Sequence, residues 1–225
     1  MSTLTQLCGA GYVDHKIQRK ARGMKRTNQA WRAALWAAGL FFFAASCSPV
    51  LRLQATYRLP LSEGGLAGKQ AFVSVQDLRE DKRTLGETAA LRFEDSGGVI
   101  SLSVARADGP GMIKGIYQPP ALLKEAMESR MKHEGVQVVP EGTVSTGLSL
   151  FLQSFFMDRE ARKWKVAISY EARLMKDGQV LSSQVVSGEA ERLDIMGTEQ
   201  ADVVLSELLT DVVNRLDLSK LLQAS

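Results

Sequence analysis

Residues 165–186 read KVAISYEARLMKDGQVLSSQVV. Val166, Ile168, Tyr170, Ala172 and Leu174 alternate with Ala167, Ser169, Glu171 and Arg173, the period of two that a strand with one buried face requires. Asp177-Gly178 then supplies two residues that accept positive φ, as the type I′ turn of a tight hairpin demands. The spacing predicts that residues 180–192 fold back antiparallel onto residues 165–175. Upstream, Leu148, Leu150 and Leu152 alternate with Ser149, Phe151 and Gln153, which adds a further half-buried strand and makes a β-meander.

Outward from the meander the period changes. QAFVSVQD, residues 70–77, is a compact β-rich run expected in the centre of a sheet, and the charged stretch LREDKRTLGE after it reads as a loop. Residues 91–104, LRFEDSGGVISLSV, read as two short strands about Ser96-Gly97-Gly98, and Gly109-Pro110-Gly111 as a simple turn. Pro119 and Pro120 suit the first turn of a helix, where a missing N–H costs nothing. Leu123, Ala126, Met127, Arg130 and Met131 recur at helical spacing, and Gly135 stands where a left-handed residue ends the helix. Residues 136–139 return as a strand. A second helix is expected after Thr198, a candidate N-cap, with Glu199 favourable to the helix dipole. Its apolar face, Leu205, Leu208, Leu209, Val212, Val213 and Leu216, would cover one side of the sheet.

The resulting fold class is α+β: a single domain with a mixed, mostly antiparallel sheet, a meander and two main helices packed on it. It is assigned to residues 70–218, with 219–225 a C-terminal tail. Residues 47–69 read mostly as a tether. Leu53, Ala55 and Tyr57 share one face there, which leaves open a short strand over 53–59 and a fold that starts before the glycines.

The N-terminal segment has its own pattern. Lys25, Arg26 and Arg32 precede WAAGLFFFAAS, and Cys47 follows. A membrane-spanning helix needs about 20 apolar residues, and Ala33 to Ala45 falls short of that. The order of basic, apolar and small residues is that of a secretory signal over residues 1–46. Residues 1–23 lie upstream of Met24, which makes a cleaner start. Phe43-Ala44-Ala45-Ser46-Cys47 resembles the lipobox of bacterial lipoproteins, which implies cleavage before Cys47 and lipid on that cysteine. An ordinary signal peptidase site and a short core helix are the other readings of the same residues.

Charge excludes one class of function. Residues 1–46 hold seven of the 28 basic residues and one of the 25 acidic ones, so the chain from Cys47 carries 21 basic and 24 acidic residues. A basic stripe able to neutralise nucleic-acid phosphates is not expected. The chain from Cys47 has one cysteine and one histidine, His133, so no disulfide, no zinc ligand set and no Ser-His or Cys-His pair is expected, and no cofactor. Glu80/Asp81 and Glu94/Asp95 read as solvated charge. Arg159, Arg162, Lys163, Trp164 and Lys165 form a basic, aromatic cluster that reads as a polar rim with the Trp packed on the sheet, contact with anionic lipid or glycan being the alternative.

A lipobox cysteine, a strand ending in VQDLREDKRTLGE, a Pro-initiated helix ending in Gly-Val and a long meander together resemble the YajG-type family of bacterial lipoproteins. The residues carrying the resemblance are Asp77, Arg79, Leu85 and Gly86. More distantly the layout is similar to envelope lipoproteins with a TolB N-terminal-like domain, including auxiliary lipoproteins of lipid-transport ABC systems. The resemblance implies a lipid-anchored, periplasm-facing protein of the outer membrane, the inner membrane being the alternative, with Ser48 after the cysteine similar to an outer-membrane sorting signal. It implies no reaction. The functional expectation is a non-enzymatic binding module or accessory subunit with an envelope protein partner, docked by strand addition at a sheet edge; a lipid or lipopolysaccharide transport accessory with an apolar groove is the alternative. In the loop from Asp77 to Glu87, Asp77 can form an Asx-turn and Gly86 can supply positive φ. Asp77, Arg79, Lys82 and Arg83 are candidates either for that turn chemistry or for direct partner contact.

Overall fold

The alternation in the C-terminal half folds into three long antiparallel strands, β6 (Thr146–Glu160), β7 (Lys163–Lys176) and β8 (Gln179–Leu193). Trp164 pairs with Arg192 and Met175 with Val180 across the second hairpin, and Asp177 and Gly178 take φ of 51° and 78°, the turn expected from the sequence. The computed structural model describes residues 52–61, 65–93, 97–107, 109–195 and 199–223, within a unit running from Pro49 to Ser225. The signal segment, Met24, Cys47 and Thr198 lie outside the described residues.

Ahead of the meander come β1 (Gln54–Arg58), β2 (Gln70–Asp77), α1 (Glu87–Ala90), β3 (Ile100–Ala105), β4 (Met112–Tyr117), α2 (Pro119–His133) and β5 (Gln137–Val138); α3 (Glu199–Arg215) and α4 (Leu218–Gln223) follow it. The α+β class holds, but the strands form two sheets, a five-stranded one in the order β5-β2-β6-β7-β8 and a three-stranded one in the order β1-β3-β4. β2 runs parallel to both its neighbours and β1 parallel to β3. Helix α2 packs against β2 and β3, and α3 against β1, β7 and β8, so each helix touches both sheets. One apolar cluster results, with Leu123, Met127 and Met131 from α2, Leu205, Leu209 and Val213 from α3, and Leu148, Ile168 and Tyr170 from the meander.

Helix α2 begins with Pro119 and Pro120 in its first turn. It ends in paired hydrogen bonds from Gly135 N–H to Lys132 O and Val136 N–H to Met131 O, with Gly135 at φ 91°, the Schellman closure.

Three expectations need correction, and one strand had no expectation at all. Residues 91–93 are not a strand: α1 and the turn after it carry them, and Phe93 N–H bonds back to Ala89 O. A strand, β4, occupies Met112–Tyr117, where the sequence shows no clean alternation because Lys114 sits at a bulge between the Leu102–Gly115 and Ser103–Ile113 pairs. Residues 53–58 are not tether but the short strand left open for them: Leu53, Ala55 and Tyr57 are buried, so the folded part begins well before Gln70. Residues 219–223 are not a free tail either, since Leu221 and Leu222 of α4 are buried and Lys69 donates to Leu222 O.

β1 lies at the edge of its sheet, and an edge strand leaves a row of backbone groups to satisfy. Helix α3 satisfies them with side chains. Asp202 Oδ1 accepts from Gln54 N–H at 2.8 Å, Ser206 Oγ from Thr56 N–H at 2.9 Å and Thr210 Oγ1 from Arg58 N–H at 3.1 Å. Asn214 Nδ2 donates to Arg58 O at 3.0 Å. These four residues are spaced by four, an advance of about 6 Å along a helix, close to the roughly 6.7 Å that two strand residues span. The near match keeps a polar helix stripe in step with alternate strand amides.

Removing one tooth should expose the cost. Ser206→Ala leaves Thr56 N–H unpaired at a partly buried position, and is expected to destabilise the fold by about 1–2 kcal/mol. Exposed Ser183→Ala should stay within about 0.5 kcal/mol. Urea unfolding of the two variants checks this; equal midpoints would refute the role given to Ser206.

Candidate functional site

The loop that leaves β2 was the sequence's candidate, and its geometry is that of a clasp. Asp77 Oδ1 accepts from Arg79 N–H at 3.1 Å, the expected Asx-turn, and from Arg79 Nε at 3.0 Å, while Oδ2 accepts from Nη2 at 2.9 Å. The fork is thus bidentate, the stronger class of ion pair. Arg79 Nη1 also donates to Phe155 O on β6 at 3.3 Å. Arg79 is 5% exposed, so it is withdrawn from any partner and ties the loop to the sheet. Lys82 Nζ donates to Asp77 O at 2.9 Å and lies 3.2 Å from Asp77 Oδ1. Arg83 pairs with Asp81 in solvent. Of the four candidates, Asp77 and Arg79 form the turn, and Lys82 and Arg83 present exposed cations.

The far end of the clasp docks onto β6. Met157 N–H donates to Thr84 O and Gly86 N–H to Met157 O, at 2.9 and 2.8 Å. Gly86 has φ of −69°, so it does not supply positive φ as the sequence reading had it. Space demands glycine there instead: a Cβ would sit 2.2 Å from Asp158 Cγ. That carboxylate comes so close because Asp158 Oδ1 accepts from Ala89 N–H at 3.0 Å, capping α1 from another strand. Gly86 of the motif therefore makes room for helix capping by a distant strand.

Hydrogen bonds from the Arg79 side chain, above all, hold the Asp77 carboxyl down at about 2, against the opposing effect of its partial burial. Such a group is committed to its cation and is a poor proton acceptor at neutral pH.

The cluster around Trp164 is a polar rim. Trp164 is buried against Phe93, ring centroids 5.8 Å apart, and its Nε1 has no hydrogen-bond partner among the described residues. Three of the four cations beside it pair locally, Arg159 with Asp194 at 2.6 Å, Lys163 with Glu191 at 2.7 Å and Lys165 with Glu160 at 2.6 Å, while Arg162 takes a left-handed φ of 65° in the turn. His133 donates from Nε2 to Pro60 O at 3.0 Å.

A buried polar group was concealed within the apolar stripe of α2. Arg130 is 6% exposed; it pairs with Glu134 at 2.8 Å and donates to Val213 O. Tyr170 Oη donates to Val212 O at 2.9 Å and Tyr57 Oη to Asn214 Oδ1 at 2.8 Å. Burial pushes both phenols well above the usual tyrosine range, with the Arg130 charge pulling the other way. The available signal was a cation on the core-facing side of a helix with Glu four residues on. Among the described residues no group of three His, Cys, Asp or Glu could hold a metal ion.

No family model matches the chain, and no curated protein matches it. Solved structures share parts of its layout. A Xanthomonas campestris protein of the DUF330 family is 15% identical, with 75% of this chain and 95% of that one covered at a TM-score of 0.44. A putative lipoprotein from Caulobacter crescentus is 13% identical, covering 47% and 82% at 0.34. The rare lipoprotein B of Shewanella oneidensis is 15% identical, covering 45% and 83% at 0.33. These are likenesses of arrangement at low identity.

The clasp makes a stability prediction. Asp77→Ala strands a buried guanidinium and should cost about 2–3 kcal/mol at neutral pH. Because the carboxyl is held below its ordinary value, its contribution is present above about pH 4 and fades as pH falls toward about 2. Urea unfolding across that range should show wild type and Asp77→Ala converging. Lys82→Ala and Arg83→Ala should each change stability by less than about 1 kcal/mol.

Proposed function

We propose that the protein is a lipid-anchored envelope lipoprotein whose domain works by binding, as an accessory subunit of a membrane-associated complex, without turnover. The observation that carries this is the order along the chain: basic residues, an apolar run, small residues and Cys47, then five residues before Leu53 enters the core. Six residue steps reach at most about 20 Å. The leash is much shorter than a tether ending at residue 69 would be, and a lipidated Cys47 would hold the domain against the bilayer at high local concentration.

The outer membrane is the favoured location because Ser48 follows the cysteine. The YajG-type resemblance belongs to the same reading, with Lys82 and Arg83 as the motif-loop cations left for a protein partner. Strand addition has a site at β8, an edge strand of 15 residues that contains neither lysine nor proline, two common guards of an open edge. Binding is also supported by the strongly shifted groups, Asp77, Tyr57 and Tyr170, each being held in a structural hydrogen bond. The alternative of a lipid or lipopolysaccharide accessory is favoured by one observation, a groove whose lining includes Leu59, Val104 and Met112.

Cys47→Ser tests the anchor. The wild-type protein should fractionate with membranes and shift in mobility on processing, and the variant should stay unprocessed by the lipoprotein pathway. A variant processed like wild type and recovered in the membrane pellet would overturn the proposal.

A further inference from the structure

Beyond the anchor, one surface of the domain has the chemistry of a lipid contact. Where β1 and β3 end and β4 begins, a groove of about 470 Å³ opens beside the C-terminal end of α2. Leu59, Val104 and Met112 supply apolar surface in it, and Arg106, Lys114 and Lys132 line the same groove with cations. Among the described residues no acidic side chain lines it. Lys132 shares its charge with Glu128 at 3.1 Å, and for Arg106 and Lys114 no acidic partner occurs among the described residues. Large apolar side chains stand out into solvent at the groove and close by in sequence: Met112 is 66% exposed and Leu61 85%.

Two physical facts make this combination informative. Water solvates cations well, so clustering them without counter-charges gains nothing unless an anion joins them. Exposed Met112 gains nothing in water either. A ligand with an anionic head and apolar carbons adjoining it satisfies both at once. A free inorganic anion leaves the apolar surface wet, and an apolar ligand leaves the cations unpaired. The bulge that places Lys114 out of step with the strand also puts Met112 opposite Val104, so cation and apolar side chain are presented at one mouth.

We infer that this groove docks the domain on a bilayer by taking the phosphate headgroup of an anionic phospholipid between Arg106, Lys114 and Lys132, with Met112 and Leu61 entering the interface. Basic side chains with neighbouring apolar ones are the composition of an interfacial contact. The inference uses the anchored reading for one point only. Cys47 precedes Gln54 by seven residues, a reach of at most about 25 Å, and β1 with its five residues is about 17 Å long, so the anchor and the groove can meet the same membrane.

The unit Pro49–Ser225 contains the whole apolar cluster and lacks Cys47, so it tests the groove independently of the anchor. Its flotation is measured with vesicles of phosphatidylcholine alone and with vesicles enriched in phosphatidylglycerol. A basic residue at an anionic surface contributes about 1 kcal/mol, about five-fold in affinity. Arg106→Gln/Lys114→Gln/Lys132→Gln should therefore weaken binding to the anionic vesicles about a hundred-fold. Lys163→Gln/Lys165→Gln/Arg192→Gln removes the same charge from ion-paired positions and should bind as wild type does. Thermal melting confirms that both variants are folded. Three results would overturn the inference: no preference for the anionic vesicles, equal weakening by both triple variants, or inorganic phosphate at modest concentration displacing the domain and raising its melting temperature as the lipid does. Membrane recovery of full-length Cys47→Ser reports on the anchor separately.

Discussion

The row of hydrogen bonds between β1 and α3 joins residues about 150 positions apart in the chain, and the two-sheet architecture depends on it. Without α3, β1 would be a five-residue edge strand paired on one side to β3, and a strand of that size has little independent stability. With it, the strand's free N–H groups are satisfied and Leu53, Ala55 and Tyr57 point into the core. The helix carries two faces as a result. Its apolar side covers the meander, and its stripe of Asp202, Ser206, Thr210 and Asn214 faces a strand. This is how one helix can serve a sheet surface and a sheet edge together.

The end of that helix is where the core accepts polarity. The last carbonyls of a helix have no partner within it, and here Tyr170 donates to Val212 O and Arg130 to Val213 O. Arg130 also brings positive charge to the negative end of the helix dipole, and Glu134 neutralises it. A buried ion pair contributes little net stability compared with apolar packing, and its better-attested use is to fix register. The network involves α2, α3, β1 and β7, so it specifies how both helices meet both sheets.

What could be read from the sequence was local. The Asp177-Gly178 turn, the alternation through residues 148–174, the proline start of α2 and its closure at Gly135 each depend on residues a few positions apart, and the structure has them. What was missed depends on distant partners. Helix α1 has four residues and is capped by Asp158, a residue on β6, so no local pattern announces it. β4 is mostly exposed and bulged, which erases the alternation that reveals a strand. Parallel pairing of β2 with β6 and of β1 with β3 is made through intervening elements and leaves no turn signal. The same distinction holds at the candidate site. The Asx-turn at Asp77 was legible because it spans two residues, whereas the burial of Arg79 was not, since it depends on Phe155 O and the sheet beyond.

Burial also sorts the charges by role. The cations whose partners are fixed, Arg79 and Arg130, are the buried ones, and each binds backbone carbonyls of a distant element as well as a carboxylate. They hold the fold and cannot answer to anything outside it. The exposed cations divide again: Arg159, Lys163 and Lys165 around Trp164 are each matched with an acid, whereas Arg106 and Lys114 line a groove with apolar side chains. An exposed charge without a counter-charge gives the folded chain no stability, so packing does not explain their grouping beside Met112. The inferred recognition of an anionic headgroup accounts for it, because the energy it needs is then supplied on contact and not during folding.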